Sequence, residues 1–204
     1  MLRWETSAEP QRTMTVAGAI LMRMFGRPQG LLGRLGGIIL ARANRPFAQE
    51  VVALLEVRAS EKVLEVGFGP GVGIELLAEA VPAGRIAGID PSREMVEQAT
   101  RRNATTIGTG AVVLRHGTVE SMPFADDAFD TVLAINSMQV WPDAMAGLRE
   151  IRRVLAGGGR VALGFTPNSG QPRAGVTEML ASAGFDDARL VELGGGFCAL
   201  GRKA

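Results

Sequence analysis

The sequence predicts an α/β fold, a doubly wound and mostly parallel sheet with helices on both faces. Short apolar runs rich in β-branched residues fall at 62–66, 85–90, 111–115, 129–136 and 161–165. Between them lie stretches whose apolar positions recur at helical spacing. The first run breaks into Gly67-Phe68-Gly69-Pro70-Gly71-Val72-Gly73 and passes straight into a helix carrying Ile74, Leu77, Ala78 and Val81. At 204 residues the chain suits one domain with a full core, divided into an N-terminal tail and helical cap (1–46) and the α/β core (47–204).

Each element has a local cause. Residues 1–13 are polar and without period. The spacing then predicts helices over 14–25 (Val16, Ile20, Met24), 30–43 (Leu31, Leu35, Ile38, Ile39) and 46–57 (Phe47, Val51, Leu54, Leu55), punctuated by Gly26-Arg27-Pro28 and Asn44-Arg45-Pro46. Short amphipathic helices need a surface to pack on, and the sheet beginning at Val63 supplies it. The third reads as scaffold. In the first two, Met14, Met22, Met24 and Phe25 line either a core or an apolar substrate pocket under the cap. Ser92 opens a helix to Asn103, Asp143 caps a helix over 143–155, and a helix around 176–183 follows. Segments 188–193 and 197–202, separated by Gly194-Gly195-Gly196, read as a hairpin.

Composition excludes several functions. Lys and Arg number 22 against 21 Asp and Glu, a net charge of +1, so no global field draws the chain to nucleic acid. Residues 1–60 carry eight Arg against four Glu, a mildly basic section that reads as a solvated helical face or an attraction for an anionic surface. The single cysteine, Cys198, excludes an internal disulfide and sits inside the last strand as a small buried side chain. No apolar run reaches the ~18 residues of a membrane span. Arg3, Glu5, Glu9, Pro10, Arg12 and Arg23 speak against a signal peptide, so the cytoplasm is expected. Asp126, Asp127 and Asp130 read as a solvated turn rather than a metal site, with no His or Cys at ligand spacing.

The glycine turn is where a ligand is expected. Glycines let backbone approach a ligand closely, and the helix behind them presents free N–H groups. Val72 stands where a dinucleotide fold wants its third Gly or Ala, which disfavours a nicotinamide cofactor. Glu65 lies two places before the first glycine in an otherwise apolar strand; it either reaches solvent or grips a ligand. Asp90 ends the second strand 19 residues beyond Gly71, near the spacing at which an acid accepts from both ribose hydroxyls. Alternatively it caps the next helix, a role Ser92 can fill.

The run Val63-Leu64-Glu65-Val66-Gly67-Phe68-Gly69-Pro70-Gly71 resembles the first motif of class I S-adenosylmethionine (SAM)-dependent methyltransferases. Gly88-Ile89-Asp90-Pro91-Ser92 is similar to their second. Leu148-Arg149-Glu150-Ile151-Arg152-Arg153-Val154-Leu155-Ala156-Gly157-Gly158-Gly159 resembles their structural Glu-x-x-Arg-Val-Leu-x-Pro-Gly-Gly segment, with Gly157 in the proline's place. The resemblance covers roughly 61–204 and looks closest to the small bacterial type 11 group that includes quinone methyltransferases. It implies a Rossmann-like sheet of seven strands with an antiparallel last strand, and SAM as cofactor. Glu65 would then hold the methionine amino group, Gly67, Phe68, Gly69 and Gly71 would make room for the carboxylate end and ribose, Asp90 would take the ribose, and Pro91 would pack near adenine. Where the family has Gly-Asp-Ala this chain has Gly117-Thr118-Val119, so adenine falls to Thr118, the Val119 backbone or Glu120.

Strands one and four flank the reversal of strand order in that family, so the loop from Asn136 to Trp141 would face the methionine end and the acceptor. Asn136 is expected at the cofactor, with Gln139 and Trp141 orienting a substrate, unless Trp141 only packs on the next helix. The only histidine, His116, stands by the adenine turn, away from the methyl group, and no catalytic residue is assigned. The resemblance implies a small, apolar or aromatic acceptor; without tyrosine or a well-placed histidine, one that ionises easily, such as a thiol or acidic phenol, or an amine or a stabilised carbanion, is expected. The rival is a SAM- or S-adenosylhomocysteine-binding protein that transfers no methyl.

Overall fold

The computed structural model describes residues 44–204. Seven strands make one sheet: β1 Lys62–Val66, β2 Arg85–Asp90, β3 Val112–His116, β4 Phe129–Ile135, β5 Leu155–Phe165, β6 Asp186–Leu193 and β7 Gly196–Arg202. Their order is β3-β2-β1-β4-β5-β7-β6. All neighbours from β3 to β5 are parallel, and β7 runs antiparallel to both β5 and β6. The chain steps outward from β1 to β3 and returns to place β4 on the other side of β1. That reversal opens a crevice beyond the carboxyl ends of β1 and β4.

Helices cover both faces: α1 (44–54), α2 Val72–Ala80, α3 Arg93–Arg102, α4 Ala104–Gly108, α5 Ala144–Val154 and α6 Val176–Ser182. Period-two alternation divides the core. Val63, Ile86, Val112 and Leu133 pack with α1, α2 and Ala99 of α3. Leu64, Val66, Ile89 and Val132 pack with α5 and α6 on the other face. By the same alternation Glu65 points to the α2 side.

Sequence and structure differ at a few boundaries. The helix expected over 46–57 covers 44–54 of the described residues and packs as scaffold, with Phe47 and Val51 against Gly164. Strand β5 starts at Leu155 instead of Val161. Leu155 pairs with Phe129, and the register shifts before Thr131 meets Arg160, so the three glycines form a bulge inside the strand instead of a helix stop. Short α4 has no counterpart among the expected elements. The helices expected over 14–25 and 30–43, with Met14, Met22, Met24 and Phe25, lie outside the described residues, as does nearly all of the proposed cap.

At the amino ends of the strands, away from the crevice, a buried ionic knot ties the sheet together. Glu61 accepts from Thr131 Oγ1 at 2.8 Å, from Arg160 Nη2 at 2.9 and 3.0 Å and from Arg58 Nε at 3.0 Å. A second knot locks the connection between β3 and β4. Glu150 Oε1 accepts from the Met122 N–H at 2.8 Å, and Arg153 donates to the carbonyls of Met122 and Phe124 and to Asp126. Asp127 meets Lys203, and Asp130 accepts from the Lys62 N–H. The three acids of that turn therefore serve as staples.

Candidate functional site

The turn leaving β1 has its glycines for different reasons. At Gly67 a Cβ would occupy the space of Ser137 Oγ, and at Gly71 it would come within 2.7 Å of Ala99 Cβ and Asn103 Nδ2. At Gly73 it would collide with the Glu65 carboxylate. Only Gly69 faces open space: a Cβ there meets nothing within 4 Å, and its φ of +53° holds the left-handed conformation that glycine adopts freely. The hollow opens over Gly69, while Gly67, Gly71 and Gly73 make room for the protein's own side chains. Phe68 is 3% exposed and packs on Gly88, so it offers a ligand its backbone and not its ring.

Glu65 is 3% exposed, so it does not reach solvent. Gly71, at the N-cap of α2, has no side chain to cap the helix. Glu65 accepts the Ile74 N–H in its stead, from the neighbouring strand. Its Oε1 lies against Gly73, and its Oε2 is buried without a partner. Burial first, and then the charge of Asp90, push its carboxyl from 4.5 up to about 8.

Asp90 is 5% exposed and uses both oxygens: Oδ2 accepts the Gly69 N–H at 2.9 Å and Oδ1 the Ser92 N–H at 2.8 Å. Ser92 itself caps α3 through the Met95 N–H, so the capping role does not fall to Asp90. Burial raises the Asp90 carboxyl, against the pull of those two N–H groups. Two buried acids thus stand at the turn, on adjacent strands, each short of compensating positive charge. A cationic amino group with a neighbouring ribose suits them, whereas a pyrophosphate would meet like charge. The orphan oxygen of Glu65 and the open face of Gly69 therefore fit an adenosyl amino-acid cofactor.

The remaining expected residues divide. Pro91 ends the crevice side of β2, its carbonyl 3.0 Å from His116 Nε2; this engages the exposed His116 ring in the turn. Thr118 is exposed, Val119 buries its side chain in the core, and Glu120 Oε1 turns toward the Asp143 N–H at 3.5 Å. Asn136 is left-handed, φ +48°, and its Oδ1 accepts from the Thr166 N–H and Oγ1 at 2.9 and 3.2 Å. Its side-chain amide oxygen is thus spent on the loop after β5. Gln139 Nε2 donates to the Asn136 carbonyl at 2.7 Å, which leaves Oε1 buried and unpartnered. Trp141 donates to Ser137 Oγ at 2.9 Å and lies on Gly147 of α5. The half-buried ring thus packs on the next helix. Met24 and Phe25 lie outside the described residues.

Three residues of the site have no counterpart among the expected ones. Gly73 was detectable, since strand alternation aims Glu65 at the first turn of α2. Ser137 carries no sequence signal, because it matters only where two loops touch. Asn103 reads as an ordinary helix end. No helix among the described residues is long and apolar enough to cross a membrane, and no group of three or more His, Cys, Asp or Glu among them could hold a metal.

Comparison with known proteins agrees with this fold. A family model described as a methyltransferase domain matches residues 63–159. The uncharacterized methyltransferase YdaC of Bacillus subtilis is 29% identical over 161 residues, 75% of this chain and 87% of that protein. A demethylmenaquinone methyltransferase of Staphylococcus aureus is 33% identical over 140 residues, 68% of this chain but only 57% of that protein's length. Among solved structures, a SAM-dependent methyltransferase from Aquifex aeolicus superposes with a TM-score of 0.70 at 21% identity, covering 77% of this chain and 89% of that one. The [4+2]-cyclase SpnF superposes at 0.66 with 20% identity, over 79% and 82%. At such identities the two likenesses speak for the fold alone.

Proposed function

We propose that this chain is a class I SAM-dependent methyltransferase, a reading supported by the methyltransferase-domain match and the methyltransferase relatives, and that it transfers the methyl group of SAM to a small-molecule acceptor in the cytoplasm. The observation that carries the proposal is Glu65: a fully buried carboxyl with one oxygen capping α2 and the other unpartnered, beside an open glycine turn. SAM supplies an electrophilic methyl on a sulfonium. The protein's part is alignment.

In this reading Glu65 gives up its proton and serves as counter-ion to the methionine ammonium. Asp90 accepts from the ribose hydroxyls while keeping its hold on Gly69 and Ser92. The backbone at Gly67–Gly71 follows the cofactor closely. Pro91 and the Thr118–Glu120 segment border the adenine, Val119 through its backbone. Asn136 stands at the methionine end of the cofactor and Gln139 at the acceptor side, where its orphan Oε1 suits a hydrogen-bond donor on the acceptor. The quinone-ring relatives support a small, apolar or aromatic acceptor. His116, engaged with Pro91, takes no proton from the acceptor, and His116→Ala keeps turnover within a few-fold of wild type.

The test has two stages. Titration calorimetry with SAM and, separately, NAD should give heat with SAM alone. A metabolite panel scored for S-adenosylhomocysteine release then identifies the acceptor. Binding of SAM without such release across acceptors would favour the second reading, a SAM-binding protein that does not methylate. NAD binding in place of SAM would defeat both.

A further inference from the structure

The glycine turn has a front, where the hollow opens over Gly69, and a back, where its carbonyls point toward α3. The back is held by two consecutive residues. Arg102 Nε donates to the Pro70 carbonyl at 2.9 Å, and Asn103 Nδ2 donates to the Gly71 carbonyl at 3.1 Å. We propose that Asn103 and Arg102 are positioning residues for the cofactor, a clamp on the rear carbonyls that keeps the front of the turn in its binding shape. The proposal rests on the SAM-binding reading above.

Asn103 is built for the task. It is 4% exposed, and Nδ2 also donates to the Ala99 carbonyl at 3.0 Å, so the amide is anchored to the helix it grips from. Its backbone closes α3 and opens α4 in one residue, which pins the side chain from both directions. A buried polar group persists where its hydrogen bonds are needed, and this amide spends one on its own helix end and the other on the glycine turn. Arg102 continues the clamp outward. Its Nη1 lies 3.5 Å from Glu75 of α2, and Arg45 of α1 reaches the same carboxylate at 2.9 Å.

Peptide planarity carries the effect to the front. A trans peptide directs its C=O and N–H oppositely. Fixing the Gly71 carbonyl toward α3 therefore sends the Val72 N–H out of the amino end of α2. Fixing the Pro70 carbonyl holds the Gly71 N–H on the Phe68 carbonyl at 3.0 Å, which closes the turn. The front has a single side-chain tie, Asp90 to the Gly69 N–H, and Asp90 is the residue that must also serve the ribose. With the rear clamp gone, Asp90 is the one side chain still bonded to the main chain of the turn, beside the backbone bonds from Gly67 N–H to Ile89, from Gly71 N–H to Phe68 and from Glu75 N–H to the Gly71 carbonyl.

The experiment measures SAM affinity by calorimetry, and the thermal midpoint separately, on the full-length protein. Asn103→Leu keeps the volume and removes both donors; Arg102→Met removes the outer one; Arg102→Lys restores a donor. Asn103→Leu should weaken SAM binding by about tenfold or more, the effect of about one lost hydrogen bond. Arg102→Met should weaken it several-fold and Arg102→Lys should recover most of that, with midpoints in the Arg102 pair close to wild type. Lowered midpoints with unchanged SAM affinity, measured well below unfolding, would make both residues merely structural and overturn the proposal. If Asn103→Leu does not fold, the Arg102 pair decides alone, and equal affinities of Met and Lys variants count against the clamp. Absence of SAM binding by the wild-type protein defeats the underlying reading instead.

Discussion

Glu65 is destabilising to the empty fold and is retained where a cofactor would need it. The folded chain holds this proton more tightly than the unfolded chain, its carboxyl being raised from 4.5 to about 8. Its contribution to stability is therefore fully present below about pH 4.5 and is lost as the pH climbs toward 8. Glu65→Gln should match wild type in thermal unfolding near pH 4.5 and exceed it increasingly up to pH 8, by roughly 2–4 kcal/mol. The same variant should lose SAM affinity. A glutamine variant less stable than wild type at pH 8 would contradict the assigned environment. Gly73 gives a second test. Gly→Ala inside a helix ordinarily gains ~1 kcal/mol; here the new methyl displaces the Glu65 carboxylate, and a loss of ~2 kcal/mol is expected. Combining it with Glu65→Ala should remove most of that loss, read as a double-mutant cycle by denaturant unfolding.

Among the elements, the connection from β3 to β4 depends on α5. Arg153 reaches two carbonyls and two carboxylates of that region, and its hydrogen bonds hold Glu150 below the ordinary glutamate range. Arg153→Met should cost ~2–3 kcal/mol and free the 117–128 connection to exchange amide hydrogens faster. The Glu150 contribution is present above pH 4.5 and fades as the pH falls through its depressed value, so Glu150→Gln should flatten the acid limb of the stability curve. Most elements were legible in the sequence because apolar period and caps agree: β2 has the bounds read from Arg85-Ile86-Ala87-Gly88-Ile89-Asp90, and Ser92 and Asp143 cap their helices as expected. The β5 bulge was not legible. Glycines mark a helix end and a strand bulge alike, and only pairing with Phe129 and Thr131 distinguishes them.

On the scale of the whole molecule, the two ends of the sheet do different work. Glu61 and its partners sit at the amino ends of the strands, Glu65 and Asp90 toward the carboxyl ends. Breaking the buried knot with Glu61→Ala should cost about 3–5 kcal/mol by stranding Arg160, while SAM affinity measured in the folded state stays unchanged. A large affinity loss in that variant would mean that the ends are coupled. The same polarity explains what sequence reading reached of the site. Glu65, Gly69 and Asp90 are brought together by local strand-turn-helix order and were identifiable as a cluster, whereas the contacts of Asn103, Ser137 and the Asn136 side-chain oxygen join segments far apart in the chain.

Ser137 deserves its place in that second group for another reason. Its hydroxyl rests on the bare Cα of Gly67, and Trp141 hangs from the same hydroxyl. In the proposed reading, the loop facing the acceptor is thus seated directly on the loop facing the methyl donor. A lineage adopting a new acceptor can vary positions 139 and 140 freely, but it must do so around a small residue at 137. Enlarging that one position would shut out the old partner and evict the donor together.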